Sequence, residues 1–443
     1  MNRLQDYLDA HDINEIHPSD IAKILKKLDD EAFSRAIKII PKDLVGDVAL
    51  ALPDRLFDDV VESLSLDELS HAVTELESDD QVEFLQELEE LDETKASQVF
   101  NSLDEDDKQE ITKLQTYSED EAGAYMQLEV FTAYKDEIVQ DVIKRFAKLR
   151  KENELENVQN LFITDKENKL LYTVGLDDLL IFDFSKMLFE NIESSDESFE
   201  PKSGVDSDDI KDVVHAFEEY DLSVMPIVNH SNILLGRITS DDIYDIISEQ
   251  ATEQMYNLAG VNDDAEEDEE ILKAGKKRAS WLSLNLITAI LASTVIGLFA
   301  DTLQSIVALA ILMPIVASMG GNAGTQTLTV VVRQLALGDI SHTDAKRIIK
   351  KELSISFLNG LLFAIVMGII ASFWFEQGLY LGIVIALSML INLIMAGFFG
   401  ATIPLALKKL DVDPAIGSTV ILTTVTDIVG FFSFLGLATI ILL

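Results

Sequence analysis

Polar and flexible residues interrupt an otherwise apolar segment, residues 314–326, which reads P-I-V-A-S-M-G-G-N-A-G-T-Q. Glycines weaken a helix and let other groups approach its backbone, while the amide of Asn322 is disfavoured in hydrocarbon. Such residues are tolerated at membrane depth where they line a water-filled cavity or pack against protein. The segment therefore predicts a polar path, and close helix packing through small residues is the alternative. The glycines are Gly320, Gly321 and Gly324.

A carboxylate, Asp427, lies in the run T-V-T-D-I-V-G of the last apolar segment. The rise of 1.5 Å per residue places it near the middle of a membrane. An aspartate there costs about 2.5 to 3.5 kcal/mol to insert, so it normally faces a partner or a water-filled path. No Lys or Arg stands at matching depth in any apolar segment. A mobile cation is the expected partner, and a protonated carboxyl hydrogen-bonded between helices is the structural alternative.

Mg²⁺ is a cation that fits both the polar segment at 314–326 and the carboxylate of Asp427. It holds its water shell tightly and commonly binds through one or two carboxylates. One Asp427 from each of two subunits would balance one divalent ion. Carbonyl groups freed where the glycines weaken the helix, together with Asn322, would accept hydrogen bonds from the water molecules of the ion. The residues predict a site for a hydrated divalent cation.

Five apolar segments are long enough to cross a membrane, at about 20 residues each. Their approximate ranges are 281–300, 303–332, 353–375, 379–405 and 415–443. Lys and Arg precede the first span, lie between the second and third, and follow the fourth. The positive-inside rule then predicts a cytoplasmic N-terminal region and an external C-terminus in an inner or plasma membrane.

The charge is concentrated in one part of the chain. Residues 279–443 hold eight acidic and seven basic residues, so nearly all of the net charge of −44 belongs to residues 1–278. Such an acidic region argues against nucleic acid and favours a cation as ligand. The chain has no cysteine and its six histidines show no paired ligand spacing, which argues against zinc chemistry. No nucleophile and base pair stands out, so we expect no enzyme.

An apolar residue recurs every 12 positions from Leu28 to Leu88, generally followed by a residue suited to starting a helix. The recurring residues are Leu28, Ile40, Leu52, Leu64, Leu76 and Leu88. Each unit is too short to bury its apolar face alone, so the pattern predicts stacked short helices in a small α-solenoid.

The pattern changes to strands and amphipathic helices at about residues 127–250. Strands are expected at 224–228 and 233–238, followed by a helix that begins near Ser240. This part looks like a CBS module, and a weaker match at 170–180 would be the first of a pair. CBS pairs commonly bind adenosine nucleotides such as ATP. In this module the pattern G-x-x-T-x-x-D, where a ribose and a phosphate would be held, is formed by Gly236, Thr239 and Asp242. The alternative is that the fold serves only as a scaffold and dimer contact.

Three runs resemble the membrane domain of MgtE magnesium channels: the G-G-N-A-G-T-Q run, V-D-P-A after the fourth span, and T-D-I-V-G in the fifth. The resemblance extends over nearly the whole chain. It implies a homodimer with ten membrane helices and a pore at the subunit interface. The residues it assigns to the ion path are Asp427, the Gly321 and Gly324 backbone, and Asp413 at the inner mouth.

Residues 261–277 carry seven acidic side chains and resemble the MgtE plug helix. In that family, cytosolic Mg²⁺ bridges carboxylates and holds the pore closed. The matching carboxylates are Asp242, Asp245 and Glu253. The family run A-T-E-D reads A-T-E-Q here, and Gln250 stands where the family often has an acidic residue. We therefore expect closure to require more Mg²⁺.

The sequence predicts a multidomain membrane protein in four parts. These are an N-terminal α-helical solenoid (1–126), an α/β CBS pair (127–250), a connecting plug helix (251–278) and an all-α transmembrane domain of five helices (279–443). The predicted function is a homodimeric Mg²⁺ channel in membrane lipid, closed by cytosolic Mg²⁺. Two alternatives remain: an ion-coupled exchanger that uses Asp427, and a Mg²⁺ or nucleotide sensor without transport.

Overall fold

The structure is a computed structural model. It describes residues 2–11, 15–151, 155, 157–261, 271–336, 340, 344–376, 378–410 and 412–443. The chain divides into two compact units, Met1–Ile247 and Ser248–Leu443. The acidic run at 263–270, which the sequence assigned to the plug helix, lies outside the described residues.

The first unit begins with a stack of short helices. Five of its helical elements start at intervals of 12 residues, at residues 30, 42, 54, 66 and 78, and the one at residue 42 is a 3₁₀ turn. The residue after each recurring apolar position from Leu28 to Leu76 is the N-cap, as at Asp29 and Ser65, and Ser65 forms a capping box with Glu68. The predicted solenoid is confirmed. Its α-helices are α1 (Asn2–Ala10), α2 (Pro18–Leu25), α3 (Asp30–Ala36), α4 (Val45–Leu50), α5 (Asp54–Ser63), α6 (Leu66–Thr74), α7 (Ser78–Ser102) and α8 (Glu105–Leu114), with 3₁₀ turns at Ile37–Ile39 and Lys42–Leu44.

The repeat ends earlier than the sequence suggested. Leu88 is fully buried inside α7, and no new helix starts at the residue that follows it. The chain instead bends at Asp92, whose φ of −150° and ψ of 88° are not helical. The last apolar position of the repeat therefore belongs to the same helix as the N-cap at Glu77.

Two similar α/β modules follow. Each contains a three-stranded sheet in which the first strand pairs parallel with the second and the second pairs antiparallel with the third. The predicted strands of the second module are confirmed, with the later one shifted by one residue. The elements are β1 (Thr132–Tyr134), α9 (Val139–Lys151), β2 (Asn160–Thr164), β3 (Leu170–Gly175), α10 (Leu176–Ile181), α11 (Leu188–Ser194), β4 (Gly204–Val205), α12 (Ile210–Tyr220), β5 (Val224–Val228), β6 (Leu234–Thr239) and α13 (Ser240–Ala259).

The segment predicted as one plug helix is interrupted. Helix α13 runs through residue 250 and ends at Ala259, followed by Gly260 with a φ of +70°. A left-handed residue of this kind favours glycine and commonly ends a helix. The next helix, α14 (Ile271–Gly297), then continues into the first membrane span.

Among its described residues, the second unit contains five helices whose length and composition allow them to cross a membrane, which agrees with the predicted number of spans. They are α14 and the four long helices that follow the short helix α15 (Ala300–Ser305): α16 (Val307–Ala336), α17 (Ala345–Trp374), α18 (Gly378–Lys409) and α19 (Ser418–Leu442). Helices α16, α18 and α19 pack against one another, and α17 packs mainly on α18.

The expectation that glycines weaken the second span is wrong. Helix α16 is continuous over 30 residues, through Pro314 and all three glycines. Neighbouring helices compensate for the missing side chains, since Leu422 packs against Gly324 and Asn392 packs against Gly320. Gly320 and Gly324 therefore allow close approach of other helices, and none of the three glycines frees a carbonyl by unwinding the helix.

Candidate ion path and carboxylate junction

One face of α16 is polar and exposed. The amide of Asn322 lies on this face and donates a hydrogen bond to the Ser318 hydroxyl, at 3.3 Å. Gly321 borders the same face, and a Cβ placed there would meet no atom within 4 Å. Lipid cannot satisfy such groups, so this face of a membrane-crossing helix requires a polar neighbour. Its exposed polar residues are Ser318, Asn322, Thr325, Gln326 and Thr329.

Asp427 lies on α19, nine residues into a helix of 25 residues. Its side chain is half-buried. Within the part of the chain that the structure describes, the carboxylate has neither a hydrogen-bond donor nor a cation at bonding distance. The nine residues correspond to roughly 14 Å of helix, which keeps the carboxylate well inside the bilayer core.

Asp413 precedes α19 and is half-buried. Its carboxylate accepts a hydrogen bond from the Ala415 backbone N–H, at 2.7 Å. This bond shapes the turn that leads into α19. At the second residue of the helix, the Thr419 hydroxyl donates to the Leu258 carbonyl at the end of α13, at 2.9 Å. The end of α13 therefore contacts the start of the helix that carries Asp427.

Two buried polar residues of the membrane unit were missed by sequence reasoning. The Asn392 side chain is completely buried on α18, and Glu352 on α17 is only 6% exposed. Glu352 accepts a hydrogen bond from the Thr327 hydroxyl of α16, at 3.2 Å. Asn392 is the one amide deep in the apolar fourth segment, and this was the available signal. Glu352 directly follows two lysines, so its local sequence is typical of a charged flank.

In the first unit, carboxylates of the solenoid and of the second α/β module form a cluster that we call the carboxylate junction. Its members are Asp79 and Asp80 at the start of α7 and Asp242 in α13. Burial and the neighbouring carboxylates hold the pKa of Asp79 well above its usual value. Burial, Glu83 and Asp242 raise the pKa of Asp80 to about 8. The Asp79 Oδ1 atom is shielded from solvent and has no hydrogen-bond partner among the described residues.

Asp242 is fixed within this junction by hydrogen bonds. Its carboxylate accepts from the Thr239 hydroxyl at 2.7 Å, from the Thr239 N–H at 3.2 Å and from the Gln127 amide at 3.4 Å. Burial raises its pKa to about 6, although the bonds from Thr239 oppose the shift. The predicted ligand Asp245 is exposed on the same helix, and Glu253 accepts from Asn257 at 3.4 Å.

A buried arginine lies at the contact between the solenoid and the α/β modules, which we call the seam. Arg237 is 2% exposed, and its guanidinium donates to the Gln127 side chain at 3.1 Å and to the Asn157 carbonyl at 3.2 Å. The guanidinium also lies 3.6 Å from the Glu77 carboxylate of the solenoid. Glu129 adds a second connection by accepting from the Ser78 hydroxyl at 2.9 Å. Solenoid and α/β modules are therefore joined by contacts that do not involve a metal.

The three residues predicted to hold a nucleotide occupy this seam. Thr239 and Asp242 bond to each other, and a Cβ on Gly236 would come 2.5 Å from the Gln127 carbonyl. A cavity of about 370 Å³ opens elsewhere, between the two α/β modules. None of the three lines it. Its polar lining includes Gln159, Asn160, Thr173, Asp177, Glu200, Lys202, Asp221 and Ser223.

Family models match three parts of the chain. The model for MgtE, described as a divalent cation transporter, matches residues 313–437. The model for the MgtE intracellular N domain matches residues 16–120, and a CBS domain model matches residues 205–249. Five membrane-crossing helices, a helical solenoid and paired CBS-type modules thus define a multi-pass membrane protein of the divalent cation transporter class.

Curated relatives give the family. The chain is 30% identical over 335 residues to the magnesium transporter MgtE of Bacillus subtilis, covering 74% of this chain and 70% of that protein. It is 28% identical over 340 residues to the magnesium transporter MgtE of Thermus thermophilus, covering 76% and 73%. The chain belongs to the MgtE family of magnesium transporters.

Solved structures resemble part of the chain. One, the cytosolic domain of the Mg²⁺ channel MgtE in complex with ATP, is 25% identical with a TM-score of 0.48. The match covers 55% of this chain and 98% of that structure.

Proposed function

We propose that this protein is a homodimeric Mg²⁺ channel whose ion path includes Asp427 and the polar face of α16. One observation carries the proposal: a membrane-crossing helix presents exposed polar side chains, and the neighbouring helix holds a carboxylate with no cation or donor among the described residues. A cation moving through water would satisfy both groups. A membrane anchor would need neither.

A second copy of the chain would complete the path. The polar face of α16 lies on the surface of one subunit, where lipid would leave its groups unsatisfied. If two such faces meet around a two-fold axis, the two Asp427 carboxylates balance the charge of one Mg²⁺. The open backbone at Gly321 and the amide of Asn322 then face the water shell of the ion, with Gly324 one turn away.

The Lys and Arg distribution supports an N-terminus in the cytoplasm. Basic residues stand at the start of α17 and at the end of α18, which would lie on the same side of the membrane. The start of α14 adds Arg278 to that side. Import would then follow the negative potential of the cytoplasm.

Uptake into proteoliposomes under an imposed negative potential, without H⁺ or Na⁺ gradients, tests the channel. We expect rapid Mg²⁺ entry in the wild type and at least a tenfold loss in Asp427→Asn, which keeps the size of the side chain and removes its charge. Asp301→Asn is the matched control, because Asp301 is an exposed carboxylate of the same unit outside the long helices. Entry only when an H⁺ or Na⁺ gradient is present would favour the exchanger.

We further propose that cytosolic Mg²⁺ closes the channel by binding at the carboxylate junction. Asp79 and Asp80 come from the solenoid and Asp242 from the second CBS module, so an ion bound there would hold the two together. Carboxylates with raised pKa values repel one another when ionised, and a divalent cation converts that repulsion into attraction. Asp245 and Glu253 are the further ligands proposed along α13, and Asp413 is proposed to contribute to the inner mouth of the ion path.

An adenosine nucleotide is the proposed ligand of the CBS pair. The cavity between the modules is large enough for part of such a ligand, and Lys202 supplies a cation for a phosphate. Gly236, Thr239 and Asp242 remain the alternative position. Calorimetric titration with ATP distinguishes the two: Lys202→Ala should weaken binding at the cavity, and Thr239→Val should weaken binding at the motif.

A further inference from the structure

The geometry points to Asn392 as a positioning residue that sets the distance between α16 and α19, and with it the shape of the ion path. The inference builds on the proposed ion path and concerns a residue on α18, behind that path. Asn392 touches a glycine on each of the two helices. Each of those glycines lies within three residues of a residue assigned to the path.

The first contact is with α16. A Cβ on Gly320 would lie 2.8 Å from the Asn392 Cγ atom and 3.0 Å from its Oδ1, and closer still to Nδ2. The Nδ2 group donates a hydrogen bond to the Val316 carbonyl of α16, at 2.8 Å. Only glycine at position 320 leaves room for the amide to reach this carbonyl. Gly320 directly precedes Gly321 and Asn322.

The second contact is with α19. A Cβ on Gly430 would lie 2.8 Å from Asn392 Nδ2 and 3.2 Å from its Cγ, and the three nearest atoms all belong to Asn392. Gly430 follows Asp427 by three residues, less than one helical turn. A displacement of α19 at this contact would therefore move the Asp427 carboxylate.

The chemistry of the side chain supports a role beyond packing. Asn392 is completely buried, and its Oδ1 has no hydrogen-bond partner among the described residues. An unsatisfied acceptor in an apolar interior is unfavourable, so packing alone would favour an apolar residue. The amide instead supplies a donor with a fixed direction to the α16 backbone. Asn392 thus fills the space that Gly320 leaves on α16 and Gly430 leaves on α19, an arrangement that we call the wedge.

A double-mutant cycle tests the wedge. Gly430→Ala alone should displace Asn392 and lower potential-driven Mg²⁺ uptake at least tenfold. In an Asn392→Ala background the same change has free space, and its additional effect should stay within twofold. Gly320→Ala should behave in the same way. Gly436→Ala is the control on α19, because a Cβ there would come no nearer than 3.8 Å to another residue.

The ion selectivity of the variants distinguishes a role of Asn392 in positioning the ion path from a role in folding alone. Asn392→Ala should change the ratio of Mg²⁺ to Na⁺ permeation at least fivefold in protein that still purifies as a folded species. Additive effects of Gly430→Ala and Asn392→Ala, or a selectivity ratio equal to that of the wild type, would overturn the inference. If neither the wild type nor any variant shows potential-driven uptake, the channel proposal fails instead, and the same cycle measured on the thermal midpoint still decides whether the wedge exists.

Discussion

Replacing Asp242 by asparagine should stabilise the Mg²⁺-free protein and remove much of its response to Mg²⁺. The pKa of Asp242 rises from 3.8 to about 6, which corresponds to a penalty of about 3 kcal/mol for the ionised form in the folded state. Asparagine keeps an acceptor for Thr239, and the bonds from Thr239 to the ionised carboxylate are already included in this penalty. Because Asp242 is only partly buried and water screens its charge, the net gain at pH 8 should be about 1 to 2 kcal/mol, or about 2 to 4 °C in the thermal midpoint of a unit of this size.

Mg²⁺ should act to different extents on the two proteins. A ligand present at a hundred times its dissociation constant stabilises the folded state by about 2.7 kcal/mol. The wild type should show a rise of this size in saturating Mg²⁺ relative to EDTA, and Asp242→Asn should lose at least half of it.

Thermal unfolding of the purified full chain in detergent, with and without Mg²⁺, measures both effects. Glu90→Gln is the control, because it removes one exposed charge from α7 about 15 Å along the helix from Asp80. An equal response to Mg²⁺ in Asp242→Asn and the wild type would refute the junction as a metal site. A lower stability of Asp242→Asn than of the wild type in EDTA would refute the proposed repulsion between the carboxylates of the junction.

Three further predictions follow from the same region. Arg237→Met should destabilise the protein by about 3 to 5 kcal/mol in denaturant unfolding, because it removes a buried cation from the partly buried Glu77 carboxylate. The same change at the exposed Arg35 should alter the free energy of unfolding by no more than about 0.5 kcal/mol. Equal effects of the two changes would contradict the burial argument. In EDTA the thermal midpoint should fall as pH rises from 6 to 8, because the raised pKa of Asp80 means that this carboxyl is protonated in the folded state and ionised in the unfolded state. The free energy of unfolding should fall by up to about 1.4 kcal/mol per pH unit for each such carboxyl. Asp80→Asn should make this dependence on pH weaker. The double change Gln250→Glu with Gln254→Asp should lower the Mg²⁺ concentration that closes the channel, and an unchanged midpoint in flux titration would contradict weakened sensing at those positions.

The sequence was most informative where a pattern repeats. The 12-residue spacing places helix starts correctly because each apolar position is followed by a capping residue such as Asp29 or Ser65. The pattern fails at Leu88, where packing within the first unit buries the position inside a longer helix. The membrane spans were equally accessible, since length and composition alone define them.

Long-range contacts account for what the sequence did not reveal. Gly320 suggested a weakened helix because its partner, Asn392, stands 72 residues later on another helix. Arg237 has the local sequence of an ordinary strand residue, and its burial against Gln127 depends on the docking of two parts of the chain. Local composition carries no information about either pairing.

The central claim is that Asp427 lies in a conducting Mg²⁺ path. Recording currents from the purified protein in planar bilayers, with Mg²⁺ as the only permeant cation, tests it most directly. Unitary Mg²⁺ currents in the wild type that disappear in Asp427→Asn and persist in Asp301→Asn are the predicted result. Transport without currents, or wild-type currents in Asp427→Asn, would contradict the claim.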